Sequence, residues 1–259
     1  MNHPRRRATL TCLAAGLLTA ALPAVSAAAY PDKPIRLVVP FPPGQGADIL
    51  ARLIGQHLAA ALGQPIVVEN KVGAGGIIGT AFAAKAAPDG YTLYMGSSGP
   101  LAIGPHVYKA VGFDTLKDFA PISNIASVTQ VLVTAPASQL ASAKDVVERA
   151  RAQPGMVPFG SAGSGTTSHL TMELFTQMSG ISLSHVPYKG SSTSMIDVMA
   201  GRVPLMFDSL PGVLTNVKSG SLRAIAVASA QRDPLLPNVP TVAESGVPGF
   251  ATSGWIGLL

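Results

Sequence analysis

The sequence predicts an α/β fold organised as two lobes, and three observations support this prediction. Short apolar runs with β-strand character alternate with helical patterns from residue 30 onward, which favours parallel βαβ units. The chain has 259 residues, of which 47% are apolar and only 12% are charged, so it can bury one large core or two smaller ones. Both halves repeat the order of strand, glycine-bearing loop and helix, and we place the boundary between the lobes near residue 131.

The individual elements follow from breakers and caps. The first strand, Ile35–Val39, ends at a proline-rich run through which no helix can continue. Asp48 then stands as a helix N-cap, and apolar residues follow at helical spacing until Gly63. Ser142 and Asp145 resemble a capping box at the start of another helix. Predicted strands cover residues 35–39, 66–68, 92–95, 131–134, 156–160, 184–186, 204–207 and 223–228. Predicted helices cover residues 49–62, 77–87, 143–151, 167–178, 194–200 and 211–218.

The amino-terminal segment, residues 1–27, has the pattern of a cleavable signal peptide. Three arginines lie within residues 1–7, an apolar run covers residues 8–24, and residues 25–27 supply the small-residue pattern that a signal peptidase recognises, with residues 27–29 as an alternative. A membrane anchor is disfavoured because the run is shorter than the ~20 apolar residues that a span needs. We therefore expect an exported, periplasmic protein, and the arginines leave both the general secretory and the twin-arginine route open.

Composition excludes several classes of protein. The formal charge is +5, but residues 1–27 hold three of the 18 basic residues and none of the 13 acidic ones. The rest of the chain therefore carries only +2, which removes the main argument for nucleic-acid binding. Cys12 is the only cysteine, so neither a disulfide scaffold nor a thiolate metal cluster is possible. The four histidines after residue 27 show no metal-binding spacing, and we expect no metal and no other cofactor.

Six loops that follow predicted strands are the expected place for a ligand. Loops at the carboxyl ends of parallel strands share one edge of a sheet, where open α/β sheets bind their ligands. Glycines permit close backbone approach there, and the helices that follow offer unpaired N–H groups, which suits an anion. For any single loop, ordinary turn chemistry is the simpler explanation. The loops cover residues 40–47, 70–76, 96–100, 160–166, 187–191 and 208–212.

Residues 160–169, GSAGSGTTSH, form the most informative of these segments. Small hydroxyl-bearing residues alternate with glycines directly before a predicted helix, so several N–H and O–H groups can donate to one carboxylate. The segment lacks the Gly-Lys-Ser/Thr ending of a phosphate-binding loop and the Gly-x-Ser-x-Gly pattern of a nucleophile elbow. An exported hydrolase with a serine or threonine nucleophile near His169 is the alternative to a carboxylate-binding protein.

Two titratable side chains in these segments have two interpretations each. His169 falls in the first turn of its helix, where it either contacts the anion, directly or through a hydrogen bond, or has a purely structural role. Asp208 ends a strand, where it either accepts a hydrogen bond from a ligand amine or hydroxyl or caps the helix that begins near Pro211.

The remaining candidates are mostly neutral. Lys189 is a cation in one of the loops, but a buried anion clamp generally uses the fork of an arginine, so we expect neutral donors such as Ser98 to hold most of the anion. Tyr188 can stack on a ligand, hydrogen-bond to it, or pack at the rim. Phe41 can form a wall of the site or pack against its own turn.

Several segments, taken together and in order, identify a protein family more specifically than any single motif does. They are residues 34–35 (PI), 38–44 (VVPFPPG) with Asp48, 68–76 (VENKVGAGG), 88–93 (PDGYTL), 160–170 (GSAGSGTTSHL), 186–190 (VPYKG) and 236–246 (LPNVPTVAESG). In this order they resemble the periplasmic solute-binding receptors of tripartite tricarboxylate transporters, the Bug/TctC-type family. The similarity covers residues 30–259.

The resemblance implies a two-lobed, periplasmic-binding-protein-like fold, a Venus flytrap, that closes on a small organic carboxylate. It further implies delivery of that ligand to membrane permease subunits, and we expect a monomer without catalytic residues. Gln45 stands where the family often has a glycine. The implied ligand-binding residues are Phe41, Gly44, Gly46, Ala47 and Asp48 in the first lobe, and Ser161, Ala162, Gly163, Thr166 and Thr167 in the second, with Tyr188, Lys189 and Gly190 nearby.

The point at which the sequence ends determines how much of the first lobe we expect it to contain. Members of the family continue beyond the point that corresponds to residue 259 and complete the first lobe, whereas residues 250–259 only begin that return. We therefore expect residues 1–27 to be a signal peptide, residues 28–130 an incomplete first lobe, and residues 131–249 the second lobe. A truncated protein that binds nothing is a further alternative.

Overall fold

Nine strands pair into one mixed sheet in the computed structural model, which describes residues 30–259. The predicted signal peptide, residues 1–27, lies outside the described residues. The strands are β1 (Ile35–Val39), β2 (Ile66–Asn70), β3 (Thr92–Ser97), β4 (Ser123–Thr134), β5 (Pro158–Ser161), β6 (Ser184–Pro187), β7 (Leu205–Ser209), β8 (Arg223–Val227) and β9 (Ser253–Leu258).

Helices connect the strands, and local sequence sets several of their ends. Gly63 adopts a left-handed conformation after α1, and Ser142 and Asp145 form the predicted capping box before α4. Within residues 30–259, no helix is both long and apolar enough to cross a membrane. The helices are α1 (Gly46–Leu62), α2 (Ile77–Ala84), α3 (Gly104–Val107), α4 (Ala143–Ala152), α5 (Thr167–Ser179), α6 (Ser191–Met199) and α7 (Leu210–Lys218).

The sheet has the order β2-β1-β3-β9-β4-β7-β5-β6, with β8 also paired to β4. The prediction of parallel units is correct for β1 with β2 and β3, and for β5 with β6 and β7. It is wrong for β4, which pairs antiparallel with β7, β8 and β9; β9, which the sequence did not predict, also pairs antiparallel with β3. Two parallel groups are therefore joined by an antiparallel centre.

The long strand β4 belongs to both groups. Residues 123–129 pair with β9, which in turn pairs with β3, whereas residues 130–134 pair with β7 and β8. The expected boundary between residues 130 and 131 lies next to this change of partner. The division of the chain into lobes at that point stays a prediction.

Apolar side chains on the two groups of strands are buried in separate clusters. Leu37 and Met95 pack in one cluster with Ile256 of β9. Phe159 and Phe207 belong to another cluster, on the side of the sheet that α5 covers. Burying each of these side chains stabilises the fold by roughly 1.5–3 kcal/mol, which fixes the strand ends from which the loops project.

The structure corrects several predicted bounds. β4 begins at Ser123 instead of residue 131, α2 ends at Ala84 instead of residue 87, and α6 begins at Ser191 instead of residue 194. β9 was not predicted as a strand. Residues 99–103 form a π-helical turn where an open loop was expected.

Candidate functional site

The loops that follow β1, β3, β5 and β7 meet β4 and β9 around one small cavity. Its volume is about 50 Å³, well below the roughly 300 Å³ at the lower end for small-molecule pockets, so a ligand of that size needs the walls to move apart. The structure thus brings predicted site residues that are up to 167 positions apart to one place. The predicted site residues that line it are Phe41, Ala47, Ser98, Ala162, Thr166, Thr167 and Asp208.

Hydrogen bonds at or beside this cavity connect the loops after β1 and β3 with the segments after β5 and β6. The hydroxyls of Ser98 and Thr167 lie 2.9 Å apart. The Gln45 carboxamide oxygen accepts a hydrogen bond from the backbone N–H of Ser191 at 3.1 Å. These contacts hold the walls in a closed arrangement.

The amino-terminal turn of α5 forms one wall. Thr166 is the N-cap, and its hydroxyl donates to the Gly163 carbonyl at 2.6 Å, while the Ala162 N–H donates to Ser168 Oγ at 3.0 Å. These bonds fix the loop, whereas the N–H groups of Thr167 and Ser168, at the first two helical positions, have no acceptor within the helix. The wall can therefore donate two backbone hydrogen bonds at the positive end of the helix dipole.

Asp208 lies at the end of β7, and the structure gives it no capping role. The N-cap of α7 is Ser209, whose backbone N–H donates to Asp208 Oδ1 at 2.8 Å. Burial raises the pKa of the Asp208 carboxyl to about 6, an effect that nearby serine hydroxyls and the Ser209 N–H offset only in part.

Asp48 lies in the first turn of α1, whose N-cap is Gln45, so its prediction as the N-cap is wrong. It does not line the cavity, and its carboxylate is fully engaged within the protein. It accepts hydrogen bonds from the Gly44 N–H at 2.9 Å, from Asn70 Nδ2 at 2.9 Å and from the Arg52 guanidinium at 3.0 Å. Burial alone would raise the pKa of Asp48, but these bonds outweigh it and hold the pKa below its ordinary value. Asp48 and Gly44 thus stiffen the loop after β1.

Three aromatic rings stand behind the loop after β5. The rings of His169 and His185 stack at 4.0 Å, and the Phe159 ring lies 4.9 Å from His185 and 6.4 Å from His169. His185 Nε2 lies 2.6 Å from Ser161 Oγ, and His169 Nδ1 accepts from the Gly165 N–H at 3.2 Å. Neither histidine lines the cavity, so both support the loop from behind.

The geometry around Ser161 and Thr166 argues against the alternative of a hydrolase with a serine or threonine nucleophile. Ser161 is 0% exposed and its oxygen also accepts from the Gly163 N–H at 3.1 Å. Thr166 donates its own hydroxyl proton to a carbonyl. A nucleophile has to reach its substrate, and the burial of Ser161 favours a structural role.

The other predicted residues lie near the cavity without lining it. Lys189 and Gly190 line a second cavity of about 10 Å³ together with Phe41 and Ala162. The Tyr188 hydroxyl donates to Asp197 at 2.6 Å. A side chain on Gly46 would lie 2.3 Å from Ser209 Oγ, so that position is in close approach to the opposite wall.

Sequence reasoning missed a number of lining residues. Gln45 follows the proline-rich run directly, and Ser168 and Ser209 lie inside segments that the sequence had singled out, so attention to whole loops would have found them. Gln130 could have been noticed as an amide before an apolar strand. Trp255 lies on the strand that was not predicted. The lining residues missed are Gln45, Ser97, Gly99, Val128, Gln130, Ser168, Ser209, Gly254, Trp255 and Ile256.

No group of three His, Asp or Glu side chains within residues 30–259 is placed to share a metal ion.

Solved structures show which class of protein has this fold. The structure of R. palustris Rpa4515 with adipate is 38% identical, covers 88% of this chain and 77% of that chain, and has a TM-score of 0.86. The structure of the periplasmic binding protein BugD is 34% identical over 88% of this chain and 76% of that chain, with a TM-score of 0.84. The fold is therefore the expected two-lobed, periplasmic-binding-protein type.

Sequence comparison then gives the family. Residues 50–259 match the family model described as tripartite tricarboxylate transporter family receptor. Protein BugT of Bordetella pertussis is 42% identical over 236 residues, which is 91% of this chain and 72% of that protein. The chain belongs to the tripartite tricarboxylate transporter receptor family, which confirms the resemblance noted in the sequence.

Proposed function

We propose that this chain is a receptor that captures a small organic carboxylate for a tripartite tricarboxylate-type transporter. The observation that carries the proposal is the wall formed by α5, where the N–H groups of Thr167 and Ser168 lack helix acceptors and both residues line the cavity. None of the described residues around the cavity is a lysine or arginine, so backbone amides and small hydroxyls are the donors that remain. The adipate in the Rpa4515 structure supports an organic acid as the ligand class.

The proposal extends to the place and mode of action. The pattern of residues 1–27 supports export to the periplasm and removal of this segment as a signal peptide, and membership of a receptor family supports delivery to membrane permease subunits. The protein acts as a monomer that binds its ligand and releases it unchanged. The burial of Ser161 supports binding without turnover.

Thermal unfolding with a panel of di-, tri- and aromatic carboxylates tests the ligand class. An acid that binds only the folded chain stabilises it by about 2.7 kcal/mol at one hundred times its dissociation constant. For a chain of this size we expect the melting temperature to rise by roughly 5–10 °C. A panel in which no acid raises the melting temperature counts against the proposal.

Two variants at one position test the role of the α5 amides. Proline is compatible with the first helical position and removes its N–H group, so Thr167→Pro deletes the proposed donor. Thr167→Ala loses the same hydroxyl but keeps the N–H, which makes it the matched control. Because a hydrogen bond to a charged group is worth roughly 1.5–3 kcal/mol, we expect Thr167→Pro to bind about tenfold to a hundredfold more weakly than Thr167→Ala in calorimetric titrations. Equal affinities of the two variants would contradict the assignment.

A further inference from the structure

Asp208 carries an unsatisfied oxygen at the cavity. Its side chain is 3% exposed, and Oδ1 accepts from the Ser209 N–H, but Oδ2 has no hydrogen-bond partner within residues 30–259. A buried acceptor without a donor is costly, and native structures generally supply one from protein, water or ligand. Oδ2 is therefore positioned to receive a donor.

Two serine hydroxyls near Asp208 also lack a hydrogen-bond partner. Ser191 Oγ and Ser209 Oγ are buried without a partner in the described part of the chain. Both lie close enough to offset part of the effect of burial on the Asp208 pKa, although neither forms a hydrogen bond of normal distance and angle with Oδ2. Asp208 and Ser209 line the cavity and so offer a ligand two oxygens that can accept hydrogen bonds, whereas Ser191 lies outside the lining.

Charge determines what kind of group fits there. Of the described residues that line the cavity, Asp208 is the only one with an ionisable side chain. A second carboxylate of a ligand placed against it would face a like charge in a buried setting, which is unfavourable. A hydroxyl or an ammonium group would instead satisfy Oδ2, and an ammonium group would complement its charge as well.

We propose that the captured acid also bears a hydroxyl or ammonium group, which donates a hydrogen bond to Asp208 Oδ2 while its carboxylate lies at the α5 amides. This inference rests on the proposed function. Asp208, Thr167 and Ser168 line the same cavity, so one ligand that carries both groups, such as a hydroxy acid or an amino acid, can contact Asp208 and the α5 amides together.

Calorimetric titration with matched acids tests the inference on the wild-type chain. Succinate, L-malate and L-aspartate share a four-carbon skeleton, and adipate and 2-aminoadipate share a six-carbon one. Within at least one set, we expect the acid with a hydroxyl or ammonium group to bind about tenfold or more tightly than the plain acid. Equal or tighter binding of the plain acids overturns the inference and leaves the proposed function standing, whereas binding of no acid overturns both.

Two variants assign the preference to one side chain. Asp208→Asn keeps the shape of the side chain but removes its charge, and we expect the preference to fall to about threefold or less. Asp114→Asn, on an exposed loop where Asp114 pairs with Lys117, is the control that keeps the wild-type preference. If Asp208→Asn does not fold by circular dichroism, Ser209→Ala, which removes one neighbouring acceptor, is titrated in its place and should reduce the preference. A preference unchanged in the folded variant contradicts the proposal.

Discussion

At the scale of single residues, the stacked histidines explain how the loop after β5 is held without a lysine or arginine. Burial lowers the pKa of His169 and, together with the nearby charge of His169, lowers that of His185 to about 4. Both rings are therefore neutral near pH 7, and His169 Nδ1 is free to accept from Gly165. Protonation of either ring would place a charge in a stacked, half-buried pair.

Acid is expected to weaken the fold through these histidines. The unfolded chain takes up protons near the ordinary histidine pKa of 6.5, whereas folded His185 resists protonation until about pH 4, so the free energy of unfolding falls as the pH drops between these values. Asp208 acts in the opposite sense, because its raised pKa favours the folded state as the pH falls. Urea unfolding of wild type and His185→Gln across this range separates the two effects.

The variant should lose stability less steeply with falling pH than the wild type does. His57→Gln, on the exposed surface of α1, is the control and should keep the wild-type slope. If the slope of His185→Gln equals that of the wild type, the stacked pair does not govern the acid response.

At the scale of elements, the first turn of α5 both begins the helix and forms part of the proposed carboxylate site. Thr166 caps the helix and also ties it to the Gly163 carbonyl, so that the cap and the proposed carboxylate-binding loop share one side chain. Ser142 caps α4 in a comparable way through its bond with Asp145, but that helix does not line the cavity. A comparison of the two caps therefore distinguishes the effect of a cap on helix stability from its effect on ligand binding.

Removing each cap tests this separation. We expect Thr166→Ala and Ser142→Ala each to lower the free energy of unfolding by about 1 kcal/mol, the typical value for an N-cap, as measured by urea titration. Only Thr166→Ala should also weaken binding of whichever carboxylate the thermal panel identifies. A similar loss of affinity in Ser142→Ala would mean that the effect is one of general stability.

Elements with a clear apolar pattern could be predicted from the sequence, and those without one could not. The predicted β1 matches the structure because it is a compact apolar run ended by proline. The first part of β4, residues 123–129, is rich in small and polar residues and three of these seven are exposed, so no periodicity marks it. β9 contains two glycines and is defined by its pairing with β3 and β4. The loops around the cavity could be predicted from the sequence. The side chains that β4 and β9 contribute to the site could not, because only the pairing of these strands in the folded sheet brings them there.

At the scale of the whole molecule, the small volume of the cavity means that the proposed ligand capture requires the two walls to move apart and close again. The closed walls are in tight contact, as the Gln45–Ser191 hydrogen bond shows. Gly190 adds a contact of a different kind, because a side chain there would lie 2.3 Å from Pro42 Cγ and 2.6 Å from its Cδ. The proline ring is rigid, so this approach is possible only for glycine.

Gly190→Ala is therefore expected to hinder closure. The alanine methyl group would push the loop after β6 away from the loop after β1, and we expect weaker ligand binding and a larger radius of gyration by small-angle X-ray scattering in the presence of ligand. Gly220→Ala is the control: Gly220 also has a positive φ, of 76°, but a side chain there meets nothing within 4 Å. It should show only the backbone cost of about 1–2 kcal/mol in stability. Equal ligand affinity in the two variants would show that the contact between Gly190 and Pro42 has no part in closure.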